Sequence, residues 1–577
     1  MATHLKVRWS ACFGLGKLVL AIALIPSFSF TASAQNALDA RTPPGQSPGD
    51  PAGAYSLSGF DNVNLFNGHL NFRLPLLSVS GRGSVSYVSA LPIEQRWTVD
   101  HDSFGYDFPN YNWWTGLRPG YGPGVLQGRQ MSEGCGEGIF LTQGTTRLTF
   151  TTSDGTEFEL RDQTYGGQAA SSDCNQFDPQ APGASRGTTF VTADGSAATF
   201  VSDTTIYDKT YTPSGPYLLT PSGYLMLRDG TRYRIDNGIV TWMRDRNGNK
   251  ISFTYQGSYL SQRVTSATDS LNRQITYQYA FSDPTYGVCD RIIFKGFGGA
   301  QRIIRIFRTA LQNALISGDS IATYSSLFPT LNGSSSTNHN PEVVSMVRLP
   351  DTRTYQFFYN RYGELCRVEL PTGGRFEYSW TEFPQGMGFQ PEINRRVTER
   401  RTYTESGALA TRSTYGSYRS DGFGTQGNVQ ADHLDFNGAL LARDKHYFHG
   451  HPFSYTTAGQ FDLSNPIEGR EFKTEFFHTN GTTILRRVEN NWTTCTTLAG
   501  TAINPCVTQT TTTLEPATTN LVTKQTFAYD VYNNQIDVYE YNFGTGAAGS
   551  LVRRSHTDYL TTNPVNGTNY ATTATIH

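Results

Sequence analysis

The sequence predicts a mainly β protein, built as an extended antiparallel β-sheet of repeated hairpins. Segments in which apolar and polar residues alternate recur along the chain, and tight-turn dipeptides such as Asp-Gly and Asn-Gly precede many of them. Gly accounts for 57 of the 577 residues and aromatic residues for 13%. This composition is typical of proteins in which many short strands are joined by tight turns.

Charge and composition exclude two broad classes. The chain has 46 Lys and Arg residues against 48 Asp and Glu residues, a formal net charge of -2. A nucleic acid or an anionic membrane as the main partner would require a large excess of basic residues. The aromatic content also excludes a largely disordered chain, because disordered chains are poor in aromatic residues.

Residues 1–34 predict a secretory signal peptide. A basic start precedes an apolar run at 18–30, and Ala32-Ser33-Ala34 supplies small residues ahead of a cleavage site before Gln35. A retained membrane anchor is the alternative, but the apolar run is about 13 residues and a bilayer span needs about 20. We therefore expect residues 35–577 to be exported, whether secreted, periplasmic or at the cell surface, with no transmembrane segment.

The exported chain divides into three parts. Residues 35–58 are rich in Pro, Gly and Ser and predict a flexible lead-in. Residues 59–235 form an N-terminal β-rich region, in which Asn67-Gly68 predicts a hairpin turn before an alternating strand. Residues 236–577 form the repeat region. The strongest helix candidate is 300–315, although its Ile-rich pattern fits a strand equally well.

A degenerate repeat of twenty-odd residues is the most informative feature. Aromatic and aliphatic residues recur at matching spacing in two pairs of segments: Ile251, Phe253 and Tyr255 match Ile275, Tyr277 and Tyr279, and Tyr355, Phe357 and Tyr359 match Phe376, Tyr378 and Trp380. Each unit is a turn with about two strands, which cannot bury its aromatic face alone. We therefore expect the units to lie side by side in one continuous sheet.

Two segments carry a resemblance to a known family. They are Tyr529-Asp530-Val531-Tyr532-Asn533-Asn534 and Tyr359-Asn360-Arg361-Tyr362-Gly363-Glu364, and they resemble the YD repeats of Rhs family proteins. Segments 63–77, 113–129, 433–450 and 486–492 resemble exported bacterial Rhs-like proteins. The resemblance implies a β-sheet coiled into a hollow shell, which in toxin members surrounds a C-terminal effector. The residues themselves predict the sheet and leave its closure open.

The chain departs from the family at its end. No segment resembles the core end that terminates the family's shell, and no effector follows before His577. We therefore expect a partial chain and an incomplete shell. The leading hypothesis is a non-enzymatic exported scaffold that encapsulates or displays a C-terminal module. Its partner would be its own missing C-terminal segment or a secreted effector.

Catalytic and cofactor sites are not predicted, because the chain lacks G-x-S-x-G, Walker and H-E-x-x-H motifs. Two other function classes stay open: a secreted protein that binds or cleaves glycans, and a cell-surface adhesion protein. Trp113 and Trp114 are candidates for an aromatic platform that stacks on cell-surface glycans. A core-packing role for the two tryptophans is favoured over the platform.

Histidine and cysteine residues supply the remaining candidates. His446, His449 and His451 are weak metal candidates, because a strand places only His449 and His451 on one side and zinc needs three or four ligands. A half-exposed strand is the favoured interpretation. Cys495 and Cys506 are a candidate disulfide that would staple a hairpin tip in an exported chain.

Overall fold

The computed structural model describes most of the chain beyond the signal and lead-in. The described residues are 54–56, 60–101, 105–114, 121–135, 140–153, 157–167, 182–193, 196–211, 220–257, 262–382, 393, 395–420, 425–450, 467–560, 562, 565–567 and 569. Strands make up 62% of the structure and helices 3%, which confirms the mainly β prediction. The signal peptide and most of the lead-in lie outside these residues.

The first sheet is a five-stranded antiparallel meander. Its strands are β1 (Ala54–Ser56), β2 (Asp61–Asn64), β3 (Leu70–Ser80), β4 (Ser86–His101) and β5 (Asp107–Trp114). The turn between β2 and β3 contains Asn67 and Gly68, and Gly68 has a φ of 77°. The Asn64 side chain accepts a 2.9 Å hydrogen bond from the Phe66 N–H and so closes this turn.

The second sheet begins with eight strands that close into a ring. They are β6 (Gly124–Cys135), β7 (Phe140–Thr152), β8 (Glu157–Asp162), β9 (Pro182–Thr192), β10 (Thr199–Tyr211), β11 (Gly223–Met226), β12 (Arg232–Asp236) and β13 (Ile239–Arg244). Each pairs antiparallel with the next, and Ile239 of β13 pairs with Val125 of β6. Closure removes free sheet edges from this part of the molecule.

From the ring the same sheet continues to the end of the described chain as a long wall. Its next strands are β14 (Lys250–Gln256), β15 (Arg263–Asp269), β16 (Gln274–Asp283), β17 (Gly287–Lys295), β18 (Gln301–Ala310), β19 (Glu342–Arg348), β20 (Thr354–Tyr359), β21 (Leu365–Glu369), β22 (Arg375–Glu382), β23 (Arg395–Tyr403), β24 (Leu409–Tyr415), β25 (Arg419–Ser420), β26 (Gln426–Leu434) and β27 (Leu440–His449). The last are β28 (Glu471–Phe477), β29 (Ile484–Leu498), β30 (Thr501–Leu514), β31 (Leu521–Tyr529), β32 (Gln535–Tyr541), β33 (Gly544–Thr545) and β34 (Leu551–His556).

Helices are short in the described residues. They are one α-helix, α1 (Tyr324–Leu327), and two 3-10 turns, Phe297–Gly299 and Leu311–Asn313. None of the described helices is long and apolar enough to cross a membrane. The segment 300–315, for which the sequence left helix and strand open, forms β18 and then a 3-10 turn. Ile304 and Ile306 alternate into the core, so the strand pattern prevails.

The same tight turn recurs at Asp245 and Asp530. The Oδ1 atom of Asp245 accepts hydrogen bonds from the N–H groups of Asn247 and Asn249, both at 2.9 Å. Asp530 accepts in the same way from the N–H groups of Tyr532 and Asn534, at 2.9 and 2.8 Å. The carboxylate thus satisfies two donors that the tight turn leaves free, which fixes the hairpin.

Two tyrosines make a second repeated contact. The hydroxyl of Tyr359 donates a 2.7 Å hydrogen bond to the Val344 carbonyl, and Tyr529 donates to the Val507 carbonyl at 2.9 Å. Each tyrosine directly follows an irregularity in strand register. The acceptor carbonyls lie in the neighbouring strands β19 and β30, beyond the register pairs Met346↔Gln356 and Gln509↔Thr526, and the tyrosine hydroxyls satisfy them.

The first sheet packs on the wall and shares one hydrophobic core with it. The ring of Phe72 lies 5.9 Å from that of Phe357, and the Phe66 ring lies 5.6 Å from that of Phe448. Tyr87 approaches Phe253 to 5.3 Å at the other end of the contact. The first sheet therefore covers the wall from β14 to β27.

Candidate functional site on the inner face of the wall

Strand register defines which side chains of the wall share the core side. Val429 is fully buried, and residues directly opposite one another in an antiparallel sheet point to the same face. Successive partners of Val429 are His446, Thr474, Val488, Thr512 and Thr523. We call the side of the sheet that carries this series the inner face.

A buried charge cluster fastens the first sheet to the inner face. Tyr378 donates a 2.6 Å hydrogen bond to Oδ2 of Asp61, and Nε of Arg400 donates to the same oxygen at 2.7 Å. The side chain of Asp61 is fully buried and that of Arg400 is 7% exposed. Burial, followed by the charge of Asp61, raises the pKa of Tyr378. We call this cluster the Asp61 latch.

A second cluster lies where the first sheet leads into the ring. The Tyr121 hydroxyl donates to Oδ2 of Asp290 at 2.8 Å, and Arg308 contacts the same oxygen at 2.5 Å. Oδ1 of Asp290 accepts from the Ala280 N–H at 2.9 Å. Burial raises the pKa of Tyr121. With its oxygens engaged, Asp290 serves as a structural anchor.

The inner face loses its cover beyond β27. Thr474, Val488, Thr512, Phe527 and Val538 lie on this face and are all half-buried. Among the described residues from 471 to 556, the buried hydrophobic side chains are Ile503 and Cys506. The last third of the wall therefore presents an inner surface that the first sheet does not fill.

Three polar side chains on the inner face resemble a hydrolytic triad in composition. The Ser413 hydroxyl lies 3.1 Å from Nδ1 of His433, and Nε2 of His433 lies 3.5 Å from Oδ2 of Asp444. The second distance is long for a hydrogen bond. Strand β24 is paired on both sides at Ser413, so its backbone offers no free donors for an oxyanion. We assign these residues to cross-strand contacts.

The candidate metal histidines do not converge in the described residues. His446 lies on the inner face, where Nδ1 is 2.7 Å from Oε1 of Glu471. His449 lies on the opposite face, with its ring 4.7 Å from that of Phe472, and burial lowers its pKa. His451 lies outside the described residues. No group of three metal-ligating side chains occurs in the part of the chain that the structure describes.

The two candidate tryptophans lie in β5. Trp113 pairs with Gln95 and Trp114 with Glu94 in the register of β4 and β5. Their side chains are outside the described residues, so the aromatic platform stays a prediction. Sequence patterns missed the Asp61 latch, because nothing in the chain links Asp61 to Tyr378 before the fold brings them together.

The cysteines singled out by the sequence are joined. Cys495 and Cys506 form a disulfide across the hairpin of β29 and β30, with 6.0 Å between their Cα atoms. Cys289 and Cys366 are free and buried, and burial raises the pKa of both thiols. A raised pKa disfavours the reactive thiolate, so these two thiols are poor nucleophiles.

The far end of the wall returns to the ring. The Asn504 N–H, near the tip of the β29–β30 hairpin, donates a 2.8 Å hydrogen bond to the Ala193 carbonyl beside β9. Arg228, between β11 and β12, donates to Oδ1 of Asn534 at 3.2 Å and to the Tyr559 hydroxyl at 3.3 Å. These return contacts join segments more than 300 residues apart.

Comparisons with known proteins give distant structural matches. No family model and no curated protein matches the chain. A structure of the Photorhabdus luminescens Tc holotoxin pore matches over 82% of this chain and 24% of that chain, at 9% identity and a TM-score of 0.18. The TcdB2-TccC3 crystal structure matches over 83% of this chain and 32% of that chain, at 10% identity and a TM-score of 0.14.

A third match is the structure of TcdB2-TccC3 without its hypervariable C-terminal region. It covers 84% of this chain and 32% of that chain, at 9% identity and a TM-score of 0.14. This chain thus spans between 24% and 32% of the length of the chains that it matches. TM-scores this low do not establish a common fold.

Proposed function

We propose that the protein is an exported, non-enzymatic β-shell scaffold that encloses a polypeptide segment. The segment would be a C-terminal module of a longer form of the chain or a secreted effector. The observation that carries this proposal is the course of the wall, which starts from a closed ring and comes back to it. A sheet whose far end returns to the ring surrounds a volume, and a segment inside that volume is shielded from proteases in solution.

The unequal cover of the inner face supports containment. The first sheet occupies the inner face from β14 to β27, whereas Thr474, Val488, Thr512, Phe527 and Val538 on this face are half-buried. The inner face of β28–β32 therefore presents apolar side chains that no other part of the described chain fully covers. An enclosed chain would gain free energy by covering such area.

The lining of the uncovered stretch is suited to a polypeptide without a specific binding site. The inner-face residues of β30 and the first part of β31 are neutral: Thr510, Thr512, Leu514, Leu521 and Thr523. Threonine hydroxyls can donate to and accept from any peptide backbone. The methyl groups and leucine side chains add contacts that do not depend on sequence.

Protease protection of an attached reporter tests the proposal. A flexible reporter peptide with a single protease site is attached after residue 577, and in a matched protein ahead of residue 35. Containment predicts that the first reporter is cut at least about tenfold more slowly than the second, because a buried site must first be exposed by opening of the shell. Equal cutting rates in the folded proteins would contradict enclosure.

Measuring glycan binding distinguishes the scaffold from the glycan-binding alternative. Glycan-array binding by residues 35–577 that is lost in both Trp113→Ala and Trp114→Ala would favour the glycan-binding hypothesis over the scaffold. The scaffold proposal predicts no such binding. It also predicts that both variants keep the protease protection of the reporter after residue 577.

A further inference from the structure

We propose that the Cys495–Cys506 disulfide is a redox-controlled clasp that holds the shell closed. In this proposal the disulfide keeps the tip of the β29–β30 hairpin in the shape that docks on the ring. A dithiol reductant would release the tip. The inference concerns closure of the wall and does not depend on the identity of any enclosed segment.

The hairpin is long enough to bridge from the wall to the ring. Strand β29 has 15 residues and β30 is a 14-residue strand, and the two pair from Arg486↔Leu514 to Leu498↔Thr501. The turn consists of Ala499 and Gly500, with φ values of 48° and 79°. Positive φ at both central residues gives the tight turn that matches strand twist. The tip is therefore a narrow two-stranded projection that ends in a defined turn.

The docking donor, Asn504, lies between Thr496↔Ile503 and Thr494↔Pro505 in the register of the hairpin, two positions before Cys506. Its N–H donates to the Ala193 carbonyl at 2.8 Å, and its side-chain amide donates to Oγ1 of Thr496 at 2.6 Å. Asn504 has a φ of 55°. A positive φ at a residue other than glycine is local strain, which surrounding structure must hold in place.

The turn of the ring that faces the hairpin tip is held by hydrogen bonds and lies close to the tip. Asp162 is buried, pairs with Arg186 at 3.4 Å and accepts hydrogen bonds from the N–H groups of Thr164 and Tyr165. These bonds fix the turn that carries Gly166. A Cβ atom placed on Gly166 would lie 2.8 Å from the Leu498 carbonyl oxygen, so the tip approaches the ring backbone directly. Small displacements of the tip would break this fit.

The covalent bond is the element that ties the strained residue to both strands. Cys506 lies two positions after Asn504 and is 5% exposed, while Cys495 is half-buried. Because Cys495 is the more exposed of the two residues, we place the attack of a thiolate on its sulfur, with Cys506 as the leaving thiolate. Overall, the dithiol gives two electrons and two protons, becomes a disulfide, and leaves two cysteine thiols on the hairpin.

Hydrogen exchange of the whole exported chain tests the clasp. Amide exchange is measured in peptides covering 160–167, 184–193 and 496–504, with and without the dithiol dithiothreitol. The proposal predicts about tenfold faster exchange in all three after reduction, because the docked tip protects both partners. The Cys495→Ser/Cys506→Ser protein should exchange like the reduced protein without any reductant. Peptides from β14 to β27 should not change.

Two matched variants test whether the faster exchange after reduction comes from the Cys495–Cys506 disulfide. Residues 35–577 contain four further cysteines, Cys135, Cys174, Cys289 and Cys366, and none of them lies in the hairpin. Cys289→Ser/Cys366→Ser and Cys135→Ser/Cys174→Ser should therefore both keep the response to dithiothreitol. Reduction that speeds exchange at 496–504 but leaves 160–167 and 184–193 unchanged would overturn the clasp, because the hairpin would then loosen without releasing the ring. A Cys495→Ser/Cys506→Ser protein that exchanges like the oxidised wild type would also overturn it.

Discussion

The hydroxyl of Tyr378 donates a 2.6 Å hydrogen bond to Oδ2 of Asp61, which lies 317 positions earlier in the chain. Asp61 belongs to β2 of the first sheet and Tyr378 to β22 of the wall. Arg400 completes the latch with a second bond to the same oxygen. Together with the shared core and the 2.9 Å hydrogen bond from the Val397 N–H to the Gly68 carbonyl, these bonds hold the first sheet against the wall.

The Asp61 latch should be a large single contribution to stability. Asp61→Asn removes the charge that compensates Arg400 in a buried site. Removing one partner of a buried ion pair costs about 3–5 kcal/mol, so we expect a loss of that order in the free energy of unfolding. Urea denaturation measures it. The control Asp351→Asn breaks an exposed pair with Arg353 and should cost less than about 1 kcal/mol.

The repeated turn makes a prediction about backbone conformation. Gly248 has a φ of 89°, and no atom lies within 4 Å of the place where its Cβ would be. Gly248→Ala should therefore destabilise through backbone strain alone, by about 1 kcal/mol. Gly248→Asn should cost less, because Asn533 occupies the matching position at a φ of 64°. Equal urea midpoints for the two variants would contradict this account of the turn.

Removing a single oxygen atom abolishes the hydrogen bond between the Tyr359 hydroxyl and the Val344 carbonyl. Tyr359→Phe leaves the buried Val344 carbonyl without its 2.7 Å partner. An unsatisfied buried acceptor costs about 1–3 kcal/mol, and we expect this decrease in the free energy of unfolding. Tyr224→Phe is the matched control, because Tyr224 is 42% exposed and its hydroxyl keeps access to water. Comparable losses in both variants would argue against the role given to Tyr359.

His339 should make stability depend on pH. It is fully buried beside Trp97, with ring centroids 4.8 Å apart, and burial lowers its pKa to about 4. A histidine whose folded pKa is below its unfolded value of about 6.5 binds its proton better when unfolded. Stability should therefore fall as pH decreases from about 6.5 to about 4, by up to about 3 kcal/mol.

The His339 prediction is checked by comparing variants. His339→Phe should flatten the pH dependence of the urea midpoint between pH 6.5 and pH 4. His478→Ala is the control, because His478 is exposed and its removal should leave the slope unchanged. If the wild type and His339→Phe keep the same slope, His339 does not carry the effect.

Local features of the fold could be predicted from the sequence, because they depend on neighbouring residues. The alternation of Ile251 and Phe253 predicts a strand, and Asn247-Gly248 predicts its turn. The segment 300–315 stayed ambiguous between helix and strand, because its pattern of isoleucines fits both periods. Residues 301–310 form a strand because they pair with β17 on one side and β19 on the other.

Long-range relationships could not be predicted in this way. Asp61, Tyr378 and Arg400 meet only because the first sheet lies on the inner face, and no spacing along the chain encodes that contact. The return of Asn504 to Ala193 likewise depends on the summed twist and curvature of the whole wall. The disulfide partners Cys495 and Cys506 are separated by 11 positions, so the sequence could single them out as a local pair.

Photo-crosslinking from the hairpin tip measures whether the wall closes on the ring. p-Benzoylphenylalanine is placed at Ala499 and, as a control, at Phe436, an exposed residue at another turn of the wall. After irradiation, mass spectrometry identifies the linked peptides. Closure predicts that position 499 crosslinks to peptides within residues 157–193 and that position 436 does not. Crosslinks from position 499 that never reach residues 157–193 would contradict closure.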